Sequence, residues 1–349
     1  MEDMEQKNLN LVVIGCSMMA QRHMEGVVNN EGVTLYAVCD TAKDRVAECM
    51  EKFNVAIGVY DYKELVNDPN VDGAIIVTPD YLHVEMTVAF LRAGKAVLCE
   101  KPMALTLEEC EEMIRAEKET NGNLMIGQVC RCTPAFMMAK DLVASGKIGE
   151  LVFVESEYAH NYGVARGYND WRVDPRRHGF IGGGCHAVDL LRWIAGDPTE
   201  VTALANHKIL TDWPVDDTSI AIYKFPNNVM GKVFVSIGCR RNYTMRSVFY
   251  GTKGTIICDN TSPTLTLFVD DGAALAEHQE GSYTVPQELP VNVNNHNVTA
   301  EIDQFVKALV AGKPMPVSSM EGASTVAVCC ASVESAKTGS TVTIQYPRV

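Results

Sequence analysis

The sequence predicts an α/β plus α+β protein, with a doubly wound parallel sheet first and an open-faced, largely antiparallel sheet second. Residues 11–14 are apolar and lead into Gly15, after which apolar residues follow helical spacing, as in a buried parallel strand that turns into a helix. Short apolar strands and amphipathic helices alternate over residues 10–127, which is typical of βαβ units. Beyond residue 150, longer alternating segments are separated by Gly, Pro and Asn turns, which favours antiparallel pairing.

The individual elements follow from this pattern. Strands of the first domain are predicted near residues 10–15, 33–39, 56–59, 73–78, 96–100 and 124–128, with helices between them. A helix near 134–145 precedes a strand at 151–158, a helix that begins near Cys185, and strands near 201–209, 217–225, 228–238, 245–250 and 254–258. Two late helices, near 296–311 and 320–337, either cover part of the second sheet or return to the first domain. The expected domains are residues 1–130 and 131–349.

Composition indicates a globular protein whose ligands are small molecules. The chain has 349 residues, of which 47% are hydrophobic and 21% charged, so it can bury a large core. Its formal net charge of −14 disfavours nucleic-acid and anionic-membrane partners, because like charges repel. No apolar stretch has the length of a membrane span and the acidic start does not resemble a signal peptide, so we expect a cytoplasmic protein.

The twelve cysteines are expected to be reduced thiols, because the chain is long and shows no secretion signal. Cys130 and Cys132 are separated by one residue, and Cys185 adjoins His186. Neither arrangement has the C-x-x-C or repeated ligand spacing of a zinc site. The sequence therefore predicts no metal ion.

The turn after the first strand has the form of a dinucleotide fingerprint. Gly15, Ser17 and Ala20 stand at the three positions of G-x-G-x-x-G/A. Ser17 is small enough to let the backbone approach a pyrophosphate, although it replaces the middle glycine. Met18 and Met19, in the same turn, belong to the predicted cofactor site.

Asp40 completes the predicted nucleotide site. It ends the second strand, twenty residues after Ala20, where an acidic side chain binds the adenosine ribose hydroxyls. Its charge would repel a 2′-phosphate, so NAD is the predicted cofactor and NADP is disfavoured. Lys43 and Arg45 lie close in sequence and leave room for use of both cofactors.

Two further loops carry polar residues at predicted strand ends. In open parallel sheets the ligand binds outside the carboxyl ends of the strands. These loops therefore supply the remaining predicted cofactor-binding residues, which are Thr78, Pro79, His83, Glu100 and Lys101.

Several motifs together resemble the glucose-fructose oxidoreductase, inositol dehydrogenase and rhizopine catabolism family (Gfo/Idh/MocA) over almost the whole chain. They are residues 15–23, Asp40, Thr78-Pro79, Glu100-Lys101-Pro102, Trp171-Arg172 and residues 186–193. The resemblance implies an N-terminal Rossmann domain, a C-terminal domain whose open sheet often forms dimer or tetramer contacts, and NAD(P)-dependent oxidation of sugars or cyclitols. We therefore expect an NAD-dependent sugar or cyclitol dehydrogenase that is a homodimer or homotetramer.

Lys101 and His186 are the predicted catalytic residues. Lys101 would hold the reacting oxygen, because its charge favours alkoxide character as the hydride leaves. His186 would take the hydroxyl proton, because imidazole titrates near neutral pH. The family commonly has an aspartate four residues before its histidine, where this chain has Gly182. Asp189 is the nearest replacement in sequence, but we expect it to be a helix buttress; His178 is a further possible support.

An aromatic and basic loop supplies the predicted substrate contacts. Aromatic faces suit the C–H faces of a pyranose ring, and arginine suits hydroxyl, carboxylate or phosphate groups. These residues do not distinguish one sugar from another. The predicted substrate-binding residues are Arg131, Tyr158, His160, Tyr168, Trp171, Arg172 and His186, with Tyr162 and Arg166 in the same loop.

Two other functions stay open at this point. The altered position at Gly182 keeps open a glycoside-cleaving enzyme that oxidises its sugar transiently and regenerates NAD in place. A non-catalytic sensor of the same fold is the other alternative, and the presence of both Lys101 and His186 speaks against it.

The second sheet is expected to mediate self-association. Residues 229–237 alternate between apolar and polar side chains. Such a strand in an open sheet leaves apolar surface in water unless another chain covers it.

Overall fold

The computed structural model describes residues 8–269, 286–294 and 296–349. Within these ranges the chain divides into two units. One unit contains the chain up to Val129 with Asn297–Val326 and Pro347–Val349, and the other contains Cys130–His296 and Ala327–Tyr346. None of the described helices is long and apolar enough to cross a membrane.

Strands and helices alternate in the first third of the chain, and the strands of the second unit begin at residue 151. The strands are β1 (Leu9–Ile14), β2 (Val33–Cys39), β3 (Ile57–Val59), β4 (Gly73–Ile76), β5 (Ala96–Glu100), β6 (Leu124–Gly127), β7 (Leu151–Ala159), β8 (Glu200–Asn206), β9 (Thr218–Lys224), β10 (Met230–Ser236), β11 (Thr244–Gly251), β12 (Gly254–Asp259), β13 (Thr264–Val269), β14 (Gln287–Pro290) and β15 (Val342–Thr343). The helices are α1 (Met18–Val28), α2 (Lys43–Phe53), α3 (Lys63–Val66), α4 (His83–Arg92), α5 (Leu107–Thr120), α6 (Pro134–Ala144), α7 (Gly179–Gly182), α8 (Cys185–Ala195), α9 (Val298–Ala311) and α10 (Ser319–Thr338).

A six-stranded parallel sheet forms the centre of the first unit. Its strand order is β3-β2-β1-β4-β5-β6, and every neighbouring pair is parallel. The strand order reverses between β1 and β4, which is where ligands bind in doubly wound sheets. The predicted doubly wound fold is therefore confirmed.

The late helix α9 belongs to this first unit and packs on α1. A Cβ added to Gly26 of α1 would lie 2.9 Å from the side chain of Ile302, so the glycine permits a close approach of the two helices. The helix begins at Val298, two residues later than predicted, because the side chain of Asn297 accepts the Ala300 N–H at 3.3 Å and caps the first turn. Helix α10 passes from the first unit into the second at Val326.

A nine-stranded sheet forms the second unit, in the order β14-β13-β12-β11-β7-β10-β9-β8-β15. All its neighbouring pairs are antiparallel except β7 and β10, so the prediction of a largely antiparallel sheet is confirmed. Strands β13, β14 and β15 were absent from the prediction. Strands β14 and β15 are short edge strands, and pairing with their neighbours, more than their own pattern, makes them strands.

One face of this sheet carries exposed apolar side chains. The other face is covered by helices: Val235 packs against Gly184, the N-cap of α8, and the Tyr223 hydroxyl lies 2.8 Å from that of Ser332 in α10. The alternate positions are exposed, and Leu204, Ile222 and Met230 are 69%, 56% and 54% exposed. The predicted open face is therefore present, and it carries exposed apolar side chains beside ion pairs such as Lys232 with Glu155.

A buried ion pair joins the start of the second unit to α8. The guanidinium of Arg131 donates from Nε to one oxygen of Asp189 at 2.8 Å and from Nη2 to the other at 2.7 Å. Asp189 is fully buried and Arg131 is 8% exposed. Such a bidentate pair is geometrically specific, so it fixes the orientation of α8 against the turn at residues 129–132.

We expect Asp189→Asn to destabilise the protein strongly. The substitution leaves the Arg131 charge buried without its carboxylate, which typically costs about 3–5 kcal/mol of unfolding free energy. Urea unfolding measures this loss. The control is Asp303→Asn, which removes an exposed pair with Lys307 and should cost less than about 1 kcal/mol. Equal losses in the two variants would contradict a structural role for the buried pair.

Candidate active site

The turn after β1 needs a glycine at position 15. Its φ is +111°, and an added Cβ would lie 2.5 Å from the carbonyl oxygen of Val77. The Gly15 N–H donates to the Cys39 carbonyl at 2.7 Å, so the turn is held between the ends of β2 and β4. A side chain here would push these strand ends apart.

The N-terminus of α1 follows this turn. Ser17 is the N-cap, and its hydroxyl accepts the Ala20 N–H at 3.3 Å. Met18 is 81% exposed and Met19 is partly buried. Unpaired N–H groups and the helix dipole at such an end favour phosphate. The turn therefore fits a pyrophosphate, with Ser17 serving as a cap where the fingerprint has its second glycine.

Asp40 lies at the end of β2 and holds the turn in place. One carboxylate oxygen accepts the Cys16 N–H at 2.8 Å. The other accepts the Ala42 N–H at 2.9 Å and an Arg45 Nη2 proton at 2.8 Å. Arg45 is thus a charge partner of Asp40. The Asp40 carboxylate therefore holds the turn after β1 and places a negative charge at the end of β2.

His83 connects the two predicted strand-end loops. Its Nδ1 lies 2.9 Å from the Pro102 carbonyl oxygen, and its Nε2 lies 3.2 Å from the Thr78 carbonyl oxygen. Burial lowers the pKa of His83, but the nearby Cys99 and Asp80 and the Pro102 carbonyl outweigh this and raise the pKa to about 9. A charged imidazole donates from both nitrogens. His83 therefore fixes the loop that carries Thr78-Pro79 against the loop that follows Lys101.

Beneath Lys101 lies a buried cluster of one histidine and two carboxyl groups. Glu100 accepts the Lys101 N–H at 3.0 Å, and its other oxygen lies 2.9 Å from His23 Nε2. Burial raises the pKa of Glu100, but His23 and Lys101 together lower it to about 2. Glu301 of α9 is 1% exposed, and burial beside the Glu100 charge raises its pKa well above the usual range. The cluster therefore holds an ionised Glu100 and a protonated Glu301 at neutral pH.

In the second unit, glycines bring the start of α8 close to the sheet. A Cβ at Gly183 would lie 2.5 Å from the ring of Tyr158 and 2.6 Å from the hydroxyl of Tyr162. A Cβ at Gly184 would lie 2.5 Å from the Phe180 carbonyl oxygen. The run that contains Gly182 in place of an aspartate therefore serves close packing. This packing brings His186 to the ring of Tyr158.

His186 is 2% exposed and has three close neighbours of different chemistry. Its ring stacks on Tyr158, with centroids 5.9 Å apart, and the ring of His296 is centred 5.4 Å away. Its Nδ1 lies 3.3 Å from Cys130 Sγ. Met245 Sδ, which can only accept, lies 3.4 Å from Cys130 Sγ, and when the thiol donates to it the Cys130 sulfur accepts Nδ1–H of His186. In that tautomer His186 carries its lone pair on Nε2.

Polar groups of neighbouring rings surround this histidine. The Tyr158 hydroxyl lies 3.0 Å from that of Tyr162 and 3.1 Å from His160 Nδ1. The Tyr243 hydroxyl lies 3.2 Å from His296 Nε2. Burial raises the pKa of both Tyr158 and Tyr243, so their hydroxyls stay protonated. Tyr158, His160, Tyr162, Tyr243, His186 and His296 will be called the His186 cluster.

The other predicted substrate residues contact different partners, and one of them, Arg172, also reaches the His186 cluster, because its guanidinium lies 5.6 Å from the ring centre of Tyr162. The ring of Trp171 has the guanidinium of Arg172 at 4.6 Å and that of Arg177 at 4.3 Å. Tyr168 is 51% exposed. Arg131 contacts Asp189, as described above. The structure thus gathers Tyr158, His160 and His186 and gives the arginines partners within the protein.

His178 is the N-cap of the short helix α7. Its Nδ1 accepts the Phe180 N–H at 3.1 Å, so that nitrogen carries a lone pair. Burial lowers the pKa of His178, which keeps the ring neutral. Its contacts in the structure are those of a capping residue.

Several residues at these sites were not found by sequence analysis. They are His296, Tyr243 and Met245 in the second unit and Glu301 in the first, together with the pairing of Cys130 with His186. Cys130 was considered only with Cys132, because sequence spacing draws attention to near neighbours. Fifty-six residues separate Cys130 from His186, and no local pattern marks their contact.

Comparison with known proteins identifies the family to which this fold belongs. The model of an oxidoreductase family with an NAD-binding Rossmann fold matches residues 9–128, and that of the GFO/IDH/MocA C-terminal domain matches residues 136–257. A myo-inositol 2-dehydrogenase of Thermotoga maritima is 27% identical over 325 residues, which cover 90% of this chain and 92% of that protein. A 1,5-anhydro-D-fructose reductase of Ensifer adhaerens is 27% identical over 340 residues, which cover 95% of this chain and 98% of that protein.

A solved structure has the same fold along nearly the whole chain. It is a levoglucosan dehydrogenase in complex with NADH, with a TM-score of 0.87 and 24% identity over 98% of this chain and 100% of that one. The matched family models bear out the predicted resemblance and the predicted cofactor. This chain belongs to the Gfo/Idh/MocA family of NAD-binding oxidoreductases.

Proposed function

We propose that this protein oxidises a secondary hydroxyl group of a sugar, sugar glycoside or cyclitol and transfers the hydride to NAD. Its relatives include a dehydrogenase of myo-inositol and a reductase of an anhydro sugar. The observation that carries the proposal is the His186 cluster, in which an imidazole with a lone pair lies among aromatic rings and hydroxyl groups. Aromatic rings suit the C–H faces of a sugar, and hydroxyl and imidazole groups suit its hydroxyls.

NAD, when bound, supplies the hydride acceptor. Gly15, Ser17 and Asp40 would hold it, through the turn, the helix N-terminus and the ribose hydroxyls respectively. Thr78, His83 and Glu100 would shape the neighbouring strand ends. Lys101 and His186 then act on the alcohol.

Lys101 stabilises the reacting oxygen, because a cation favours the charge that develops there as the hydride leaves. His186 takes the hydroxyl proton. Since Nδ1 faces Cys130, we assign the transfer to Nε2. Cys130 thereby sets the tautomer that an aspartate would otherwise set, and Asp189 supports α8 through Arg131.

We also propose that the protein is cytoplasmic. All twelve cysteines lie in the described residues and each is a free thiol. Free thiols are typical of reducing compartments, which supports a cytoplasmic protein.

The test of the function is a screen of sugars and cyclitols with NAD, followed by absorbance of reduced nicotinamide. We expect Lys101→Ala to lower kcat strongly with little change in NAD affinity, because its charge acts in the transition state. His186→Ala should lower kcat roughly 10²- to 10⁴-fold, as is usual for a positioned base. The control His207→Gln changes an exposed histidine that contacts the Leu210 carbonyl, and should keep normal turnover.

Three results would redirect this assignment. A His186→Ala enzyme with near-normal turnover would exclude His186 as the base, and His160 and His178 would be tested next. Release of the aglycone from aryl glycosides without added cofactor would favour the glycoside-cleaving alternative. NAD binding without hydride transfer to any sugar or cyclitol would favour a sensor.

Cofactor preference tests the role of Asp40. We expect NAD to bind more tightly than NADP, because the carboxylate repels a 2′-phosphate. Asp40→Asn should lower the ratio of the NADP and NAD dissociation constants by roughly tenfold, since it frees Arg45 to face the phosphate. Fluorescence titration measures both constants. Adding Arg45→Gln to Asp40→Asn should weaken NADP binding again. A wild-type protein that binds NADP more tightly than NAD would refute the role assigned to Asp40.

We also propose that the open face of the second sheet joins two copies of this chain. Leu204, Ile222 and Met230 would otherwise expose apolar surface to water. In the sheet register Ile222 lies opposite Lys232, so Ile222→Lys adds a like charge beside an existing one. Sedimentation should show an oligomer for the wild type and a monomer for Ile222→Lys. The control Val310→Lys alters a 45% exposed residue of α9 and should stay oligomeric; a monomeric wild type at micromolar concentration would contradict the proposal.

A further inference from the structure

Three side chains that ligate metal ions converge in the second unit. One ligand atom each of Cys130, His186 and His296 lies within 4.8 Å of the other two. Cys130 Sγ lies 3.3 Å from His186 Nδ1. Two ligands of a tetrahedral zinc ion lie about 3.3 to 3.8 Å apart, since the metal–ligand bonds are about 2.0 to 2.3 Å long. Small side-chain rotations would therefore bring all three donors into one coordination sphere.

The neighbours of these ligands suit a metal site. The Tyr243 hydroxyl lies 3.2 Å from His296 Nε2. In the tautomer in which Nε2 donates this bond, Nδ1 carries a lone pair, and a second nitrogen held in this way is typical of metal-binding histidines. Met245 Sδ lies 3.4 Å from Cys130 Sγ and adds a weaker sulfur donor.

The donor set also selects the class of ion. Thiolate, imidazole and thioether groups are soft or intermediate ligands, which favour zinc and copper(I) over magnesium and calcium. Cys130 and His186 are each 2% exposed, whereas His296 is partly exposed. The ligands are thus shielded, with one histidine accessible to an incoming ion.

We propose that Cys130, His186 and His296 form a binding site for a thiophilic metal ion, Zn²⁺ above all, with Met245 beside it. Binding replaces the S–H bond of Cys130 with a sulfur–metal bond and releases that proton to the solvent. It also takes the electron pair of His186 Nδ1, whose proton moves to Nε2. One proton is therefore released for each ion bound.

The effect on activity rests on the proposed function of His186. A metal ion on Nδ1 leaves a proton on Nε2, and this nitrogen then has no lone pair for a hydroxyl proton. Bound Zn²⁺ therefore inhibits alcohol oxidation. Binding itself does not depend on that function and is measured without NAD or sugar.

The experiment is a calorimetric titration of the reduced, chelator-treated full chain with Zn²⁺ in two buffers of different ionisation enthalpy. We expect one ion per chain and one proton released, and Co²⁺ should show thiolate-to-metal charge-transfer absorption. Cys130→Ser and His296→Ala should each weaken Zn²⁺ binding roughly tenfold or more. The matched control is Cys132→Ser, because Cys132 is as buried as Cys130 and lies in the same turn. Mg²⁺ should not bind.

The outcomes separate the site from the function. Equal Zn²⁺ affinity in wild type, Cys130→Ser and His296→Ala would overturn the site, as would Co²⁺ binding without charge-transfer absorption. Stoichiometric Zn²⁺ that leaves sugar oxidation unchanged would overturn the inhibition. If Zn²⁺ inhibits sugar oxidation by the wild type and by Cys132→Ser, and a chelator restores the activity, the proposed inhibition is supported. A chain that binds Zn²⁺ as described but oxidises no sugar or cyclitol would support the site and refute the proposed function.

Discussion

The buried pair of His23 and Glu100 is the constraint on which the first unit depends. It links α1, which follows the nucleotide turn, to the strand end that carries Lys101. Breaking this contact would leave a buried carboxylate without its histidine partner, so the bond ties the two elements to each other. Glu301 brings α9 to the same cluster, and its protonated state avoids a second negative charge. The strand end that carries Lys101 is therefore held by two residues from distant parts of the chain, His23 and Glu301.

In the second unit, the contact between Cys130 and His186 has a comparable role. A thiol lies at His186 Nδ1, the position that a carboxylate occupies at the histidine of Ser-His-Asp triads. It can accept Nδ1–H, as a carboxylate does, but it carries no charge when protonated and so stabilises an imidazolium less. The same sulfur makes the position attractive to thiophilic metal ions. The presence of a thiol in place of a carboxylate at His186 Nδ1 thus underlies both the proposed proton transfer and the proposed inhibition by zinc.

The fold was largely predictable because local patterns repeat over long segments. Apolar strands such as β1 and β5 are buried on both faces, and their unbroken apolar runs record this. Strand ends were less accurate: β8 ends at Asn206, where the prediction extended to residue 209. The edge strands β14 and β15 were missed because they are strands through pairing with their neighbours, and their own residues show no clear strand pattern.

For the candidate site, the sequence by itself determined the residues that stand at fixed offsets within one supersecondary unit. Gly15, Ser17 and Asp40 belong to one βαβ unit, in which strand, turn and helix follow one another, so spacing predicts their proximity. Only the tertiary structure decided which groups surround His186. Cys130, Met245 and His296 come from separate segments, and their meeting depends on how β11 and α8 pack around the glycine-rich turn. How distant segments pack depends on the shapes and burial of side chains throughout the unit, and no local sequence pattern predicts it.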